Sequence, residues 1–127
     1  MSSTGHQAYQ ASAIETASPE QLTLMCYDGA LKFMRRALRA CEQQDLARLS
    51  EWTGRAQAVI NELNVTLNME AGGEIASNLR DIYLFVNRHL AQGVMRRDTA
   101  PILESMGLIE SLRDSWAEAM KLENRAA

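Results

Sequence analysis

The broadest hydrophobic surface of the chain falls in the segment that begins at Ser18-Pro19. Ser18 suits the N-cap position, Pro19 the first helical position, and Gln21 can complete a capping box. At about 100° per residue, the apolar residues from Leu22 onward cover an arc of about 200°, roughly twice the stripe of an ordinary bundle helix. The pattern predicts a helix from Pro19 to about Glu42. Such a helix is either buried on two sides within its own domain or buried on one side and offered to a partner on the other.

The second predicted helix has a narrower apolar face. Asp45 suits its N-cap position after a short polar connection. The face is about 120° wide, which is the width expected for one ordinary core contact. Its main members are Leu49, Ala56, Ile60, Leu63 and Leu67.

Two glycines mark the start of the third predicted helix. Gly72-Gly73 permits a positive φ and predicts a tight connection between helices. The helix is expected to run from about Gly73 to Gln92, with Gly93 as its stop. Its apolar arc is about 180° wide, with Phe85 at one edge. The positions predicted to face inward are Ile75, Leu79, Ile82, Val86, His89 and Leu90.

A fourth helix is predicted after Asp98, which suits an N-cap. Thr99 and Pro101 fit its first turn, and its apolar pattern reaches about Lys121. The residues predicted to face inward are Ile102, Met106, Ile109, Leu112, Trp116 and Met120.

Four helices joined by short loops predict an all-α fold, an antiparallel four-helix bundle. The bundle is expected to span residues 18–122. Residues 1–17 are polar and small, and predict a mobile N-terminal segment that becomes partly ordered by docking on the bundle. Residues 123–127 are expected to form a frayed tail.

Composition and charge restrict the class of protein. The chain has 127 residues, 46% of them hydrophobic and only 6% aromatic, which favours helices. The net charge of −3 argues against a dedicated nucleic-acid-binding protein. No apolar run approaches the ~20 residues that span a bilayer, and residues 1–10 lack the apolar region of a signal peptide. We therefore expect a cytoplasmic protein that is not inserted in a membrane and does not bind nucleic acid.

Residues that support catalysis or metal binding are scarce. The chain has two histidines, His6 and His89, and neither has the Glu-x-x-His spacing of a di-iron bundle. Cys26 and Cys41 are about 22 Å apart on one predicted helix, so they are expected to be free thiols. Cys26 has no histidine within a helical turn to activate it. We expect no enzymatic activity, no cofactor and no metal.

Arg35, Arg36 and Arg39 form a basic cluster on the polar side of the first predicted helix. Cations near a helix C-terminus interact favourably with the macrodipole, and a solvated surface is the simpler interpretation. A contact with an acidic partner is the alternative.

Several blocks of the sequence, in their order and spacing, resemble the flagellin-specific export chaperones of the FliS family. The first block is SPEQLTLMCYDGALKFMRRA, at the start of the predicted first helix, and the second is LNMEAGGEIASNL, followed by Tyr83. Tyr9 lies ahead of the first block, and LRDSW lies near the end of the chain. The resemblance covers nearly the whole sequence.

The resemblance implies a function and its partners. Members of this family are cytoplasmic export chaperones that bind the disordered C-terminal region of flagellin. They prevent its premature polymerisation and bring it to a component of the flagellar export apparatus. The wide apolar faces leave a second possibility open, a structural bundle subunit that forms a homodimer.

The candidate partner-binding residues come from three segments. Tyr9 and Ile14 are expected to cover part of the first helix in the free protein, since a bare apolar patch of several hundred Å² is unusual in a monomer. The outer half of the apolar arc of the first helix is expected to form a groove for flagellin. The candidates in the helices are Leu24, Tyr27, Leu31, Met34 and Leu38 in the first, and Leu79, Tyr83 and Val86 in the third.

Overall fold

A computed structural model describes the backbone of residues 16–126 of the chain and the side chains of residues 16–125. This part of the chain contains four helices and no strand, which confirms the all-α prediction. We label them α1 (Pro19–Glu42), α2 (Leu46–Val65), α3 (Met69–Arg96) and α4 (Thr99–Ala126).

The four helices form an up-and-down bundle. Helix α1 packs on α2 and α4, and α3 packs on the same two helices, so α1 and α3 lie diagonally across the bundle. Neighbouring helices are antiparallel, as contacts between their opposite ends show. The ring of Phe33 in α1 stacks on Trp52 in α2, and His89 in α3 contacts Glu104 in α4.

Helix α1 begins as the sequence predicts. The Ser18 hydroxyl accepts a hydrogen bond of 3.2 Å from the Gln21 backbone N–H. The Ser18 backbone N–H donates a hydrogen bond of 2.9 Å to the Gln21 side chain. This reciprocal pair is a capping box, which satisfies two backbone donors that the helix cannot satisfy internally. Asp45 likewise caps α2, accepting from the Arg48 backbone N–H at 3.2 Å.

The connection between α2 and α3 lies earlier than predicted. Helix α3 begins at Met69 because the Asn68 side chain caps it, accepting from the Ala71 backbone N–H at 3.0 Å. The glycine pair therefore lies within the helix and does not precede it. Gly73 has φ 53° and ψ −126°, which kinks α3 after its first turn. The predicted positive φ is confirmed, and the predicted boundary is wrong.

Helix α3 continues past Gly93 to Arg96, so Gly93 is not its stop. Gly93 is buried, and a Cβ atom added there would lie 3.0 Å from Cγ1 of Ile102. This glycine permits a close approach of α3 and α4. The helix ends instead at Arg97, whose φ of 53° is left-handed.

Helix α4 extends beyond its predicted end. It is helical through Ala126, whereas the apolar pattern ends near Lys121. The last residues are exposed, so their helical conformation depends little on tertiary contacts. The fraying of residues 123–127 stays a prediction, and the N-terminal segment predicted over 1–17 lies almost entirely outside the described residues.

The core runs along the centre of the bundle and receives side chains from all four helices. Its largest fully buried side chains include two tyrosines and two polar residues, Thr53 and Ser105. The other large members are Met34, Leu49, Ile60, Val86, Leu90, Ile102 and Ile109.

Candidate functional site

Most of the helical residues predicted to bind a partner belong to the core. On α1, Tyr27, Leu31 and Met34 are at most 4% exposed. The prediction that they form an open outer groove is wrong. Helix α1 packs against α2 on one side and α4 on the next, and it faces α3 across the diagonal of the bundle. These three helices together bury its apolar arc of about 200°.

Tyr83 and Val86 of α3 are buried as well. The hydroxyl oxygens of Tyr83 and Tyr27 are 2.5 Å apart and share a hydrogen bond across the core. Burial raises the pKa of both phenols, and the shared hydrogen bond raises that of Tyr83 further. This pair gives α1 and α3 a polar contact that requires one relative position of the two helices.

Three of the predicted residues, Leu24, Leu38 and Leu79, are half-buried, and Leu38 and Leu79 pack against the core. Leu24 lies one turn from both Glu20 and Asp28, on the side of α1 that meets α4. The Glu20 carbonyl accepts from the Trp116 indole N–H at 2.9 Å. Leu24 therefore lies at the α1–α4 seam, and Leu38, fourteen residues or about four turns later, lies on nearly the same side of α1. The remaining two predicted residues, Tyr9 and Ile14, lie outside the described residues.

The LRDSW block holds α4 against α1. Besides the Trp116 hydrogen bond, Nε of Arg113 lies 2.8 Å from a carboxylate oxygen of Asp28. Both contacts join residues far apart in sequence, so this block fixes the seam between the first and last helices. The ion pair is largely exposed, which limits its own contribution to stability.

An uncovered apolar area lies along two adjacent helices, α3 and α4. Contacts of His89 with Glu104, and of Gly93 with Ile102, set the antiparallel register of these helices. The same register, continued along both helices, places Phe85 near Leu108 and Ile82 near Leu112. We call Ile75, Ile82, Phe85, Leu108 and Leu112 the α3–α4 apolar surface.

Several side chains of this surface are open to solvent. Ile75 is 73% exposed, Phe85 41% and Leu108 37%, while Ile82 and Leu112 are half-buried beneath them. The prediction that Ile75 faces inward is wrong, because it follows the Gly73 kink and lies opposite the exposed end of α4. Phe85 stacks on His89 with ring centroids 4.8 Å apart, which holds the phenyl ring in place.

Sequence reasoning missed Leu108 and Leu112 as site residues and took Phe85 only as the edge of a face. The signal was present in the arc of α3, which at about 180° is wider than core packing alone requires. The pairing of α3 with α4 was needed to connect that edge to Leu108.

The described residues offer little for other classes of site. Within residues 16–126 no group of three or more His, Cys, Asp or Glu side chains is placed to hold a metal ion. Over the same range, no helix combines the length and hydrophobicity needed to cross a membrane. Cys26 and Cys41 are free thiols as predicted, and burial raises the pKa of each.

Comparison with known proteins gives a consistent result. The family model described as Flagellar protein FliS matches residues 1–123. The flagellar secretion chaperone FliS of Bacillus subtilis is 38% identical over 120 residues, covering 94% of this chain and 89% of the relative. The protein of the same name from Salmonella typhimurium is 38% identical over 108 residues, covering 84% and 80%. That from Escherichia coli is 31% identical over 121 residues, covering 91% and 89%.

Proposed function

This chain belongs to the FliS family of flagellar secretion chaperones, and on that premise we propose that it binds the disordered C-terminal region of flagellin. In this proposal the chain acts in the cytoplasm, prevents premature polymerisation of flagellin and assists its delivery to the flagellar export apparatus. The family resemblance expected from the sequence is thereby confirmed. Since the relatives are chaperones, the expectation that the chain is not an enzyme is confirmed as well.

The observation that carries the proposal is the α3–α4 apolar surface. An amphipathic segment binds a helical groove by inserting apolar side chains at a spacing of three or four residues. Phe85 and Leu108 offer exposed apolar contacts on either side of the seam, with Ile82 and Leu112 beneath. A disordered segment that folds as it binds can extend over more than one such seam, at the cost of its ordering entropy.

The predicted residues at the core edge fit into this proposal. Leu79 is half-buried one helical turn before Ile82 and Tyr83, where it adds to the floor of the surface. Leu24 and Leu38 lie on the other side of α4, at the seam with α1. A flagellin segment that continues around α4 would meet them there. Tyr27, Leu31, Met34, Tyr83 and Val86 would then act indirectly, by holding the helices that carry the contacts.

The same surface suits a second copy of the chain, so the test must separate the two occupants. Size-exclusion chromatography with light scattering gives the oligomeric state of the chain alone and with a peptide of the flagellin C-terminal region. We expect a monomer that forms a 1:1 complex. A stable dimer whose size does not change when the peptide is added would contradict the proposal and support the homodimer.

Calorimetric titration with the same peptide locates the site. We expect Phe85→Ser/Leu108→Ser to weaken binding by about tenfold or more, as for exposed apolar residues at the centre of an interface. The matched control is Leu84→Ser/Leu103→Ser, which changes leucines that are 47% and 51% exposed but point away from the seam. Equal weakening by both pairs would mean that the α3–α4 apolar surface is not the binding site.

A further inference from the structure

The opposite side of the bundle carries a basic depression between α1 and α2. Its volume is about 530 Å³. Five cationic side chains line it together with Trp52, Ala40 and Gln43, and none of the described residues that line it is acidic. The five are Lys32, Arg35, Arg36, Arg39 and Arg48. This concentration of positive charge contrasts with the net charge of −3 for the whole chain.

The cations on α1 are spaced so that they repel one another when no anion is bound. Lys32, Arg35, Arg36 and Arg39 are separated by three or four residues, so each is a neighbour of another on the helix surface. Like charges at this spacing repel each other and destabilise a helix slightly. Only Arg39 is in the last turn, where the macrodipole favours a cation. The helix dipole therefore does not account for the whole cluster.

Acidic residues of the described chain do not neutralise the α1 cations. The structure gives Lys32, Arg35 and Arg39 no ion pair within residues 16–126. The nearby acids of α2 are used locally. Asp45 pairs with Arg48 at 3.4 Å, and Glu51 pairs with Arg55 at 3.1 Å.

The indole of Trp52 organises the floor of the depression. The guanidinium carbons of Arg36 and Arg55 lie 4.6 and 5.0 Å from the ring centroid, and the Phe33 ring stacks at 5.9 Å. These contacts hold Arg36 in place by cation–π attraction. Arg35 and Arg39 remain exposed one turn apart at the rim.

We propose that this basic depression docks an acidic peptide segment of a second protein partner. Arginine binds carboxylates with two parallel hydrogen bonds, and such charge-assisted bonds are stronger than neutral ones. A segment with several Asp or Glu side chains would pair with the rim cations and relieve their mutual repulsion. This goes beyond the proposed function, since it concerns a site separate from the α3–α4 apolar surface.

The dimensions favour a short peptide over a nucleic acid. The cations of α1 span Lys32 to Arg39, about 10 Å along the helix axis at 1.5 Å per residue. A single-stranded nucleic acid is normally held by a longer basic groove with aromatic faces free for base stacking. Here three side chains already pack against the Trp52 ring. The net negative charge of the rest of the chain would also repel a long polyanion.

The position of the depression allows both partners to bind together. In the up-and-down order, the α1–α2 face is opposite the α3–α4 face. A flagellin segment on the α3–α4 apolar surface, even one that continues to the α1–α4 seam, would leave the part of the depression next to Trp52 of α2 open. We infer that the acidic partner recognises the chain with or without its flagellin cargo.

The test uses the full chain, labelled with ¹⁵N and titrated with a short polyglutamate peptide. The two indole N–H signals give a local readout and an internal reference. Trp52 lies in the depression, whereas Trp116 is bonded to the Glu20 carbonyl near the other end of α1. We expect the Trp52 signal to shift and saturate, the Trp116 signal to stay fixed, and the affinity to fall as salt is raised.

Matched variants test whether the peptide binds at the basic depression. Arg35→Glu/Arg39→Glu should weaken peptide binding by about tenfold or more. Arg80→Glu/Arg88→Glu alters the net charge equally at exposed positions of α3 and should change the affinity less than about twofold. Circular dichroism establishes that each variant is folded. If the first variant unfolds, Arg35→Gln/Arg39→Gln replaces it, with Arg80→Gln/Arg88→Gln as its control, and the same contrast is expected.

Three results would overturn the inference. One is equal weakening by both charge-reversal pairs, which would indicate attraction to overall charge only. Another is tighter binding of a single-stranded RNA of similar length that displaces the peptide. The third is loss of the Trp52 shift when the flagellin peptide is already bound, since the depression would then belong to the flagellin path.

Discussion

The α1–α2 face and the α3–α4 face belong to the same helical bundle but differ in surface chemistry, one being basic and the other apolar. On the first, Phe33 stacks on Trp52, and the guanidinium groups of Arg36 and Arg55 lie over the Trp52 ring. On the second, Phe85 is stacked on His89 but remains 41% exposed. The inner positions of each helix build a common core. The positions at the edge of each apolar arc decide whether a face attracts charge or apolar side chains.

This difference shows why a wide apolar arc does not by itself identify a binding surface. The arc of α1 is the widest in the chain, yet Tyr27, Leu31 and Met34 within it are buried. The arc of α3 is slightly narrower and leaves an open edge. Whether an apolar arc is buried depends on how many neighbouring helices it faces and on where those helices end. The following predictions test the distinction, from the largest expected effect to the smallest.

The largest effect is expected at core positions. Leu63→Ala and Ile109→Ala should lower the free energy of unfolding by about 2–5 kcal/mol, the usual cost of emptying a buried site. Leu31→Ala and Tyr27→Ala should cost a similar amount, because these side chains are equally buried. Denaturant unfolding measures all four. Small losses for the α1 pair would restore the sequence-based view of an open α1 groove.

The next largest effect on stability is expected at the Gly73 kink in α3. Gly73→Val should lower the free energy of unfolding by about 2–3 kcal/mol, since φ 53° and ψ −126° are strained for a β-branched residue. Gly107→Val is the control, because Gly107 is helical and a Cβ there meets no atom within 4 Å. Thermal melts of the two variants should differ clearly. If they coincide, the left-handed conformation at Gly73 is not required.

The tyrosine pair that joins α1 to α3 should have an intermediate effect. Tyr27→Phe leaves the Tyr83 hydroxyl buried without its partner, so the free energy of unfolding should fall by about 1–2 kcal/mol. Tyr27→Phe/Tyr83→Phe should cost less than the sum of the single variants. Strictly additive losses in denaturant unfolding would mean that the hydroxyls do not interact.

The same tyrosine pair predicts the direction in which stability changes with pH. Below about pH 10 both phenols keep their protons in the folded and unfolded states. Above that pH the unfolded chain releases its phenol protons first, because burial raises the pKa of both groups in the fold. The unfolded state then binds fewer protons, so stability falls as pH rises. The fall should be reduced in Tyr27→Phe/Tyr83→Phe, and an unchanged pH profile would show that other groups cause it.

The smallest effect concerns the basic face. Arg35→Gln should raise the free energy of unfolding by a few tenths of a kcal/mol at low salt, because it removes like-charge neighbours on α1. The gain should shrink as salt screens the repulsion. Arg88→Gln on α3 is the control and should have no comparable effect. A destabilised Arg35→Gln variant would mean that Arg35 has a favourable contact in the folded chain.

Local chemistry in the sequence determined the helices and most of their ends. Ser18 and Gln21 form the predicted capping box, Pro19 begins the helix, and Asp45 caps α2 as predicted. The errors occur where one local signal competes with another. Asn68 caps α3 before the glycine pair, and the Gly93 signal reflects close packing on Ile102, not a helix end.

Tertiary structure determined which residues come together on each face of the bundle. Helical periodicity determines which residues share a side of one helix, but not which side meets a second or third helix. Leu108 joins Phe85 only because α3 and α4 pair in one register. Trp52 lies below Arg36 only because α2 folds back on α1. The sequence by itself therefore determined four amphipathic helices and the family they belong to. Burial of the α1 arc and the division into an apolar and a basic face required the packed bundle, because each depends on residues that are distant in the chain.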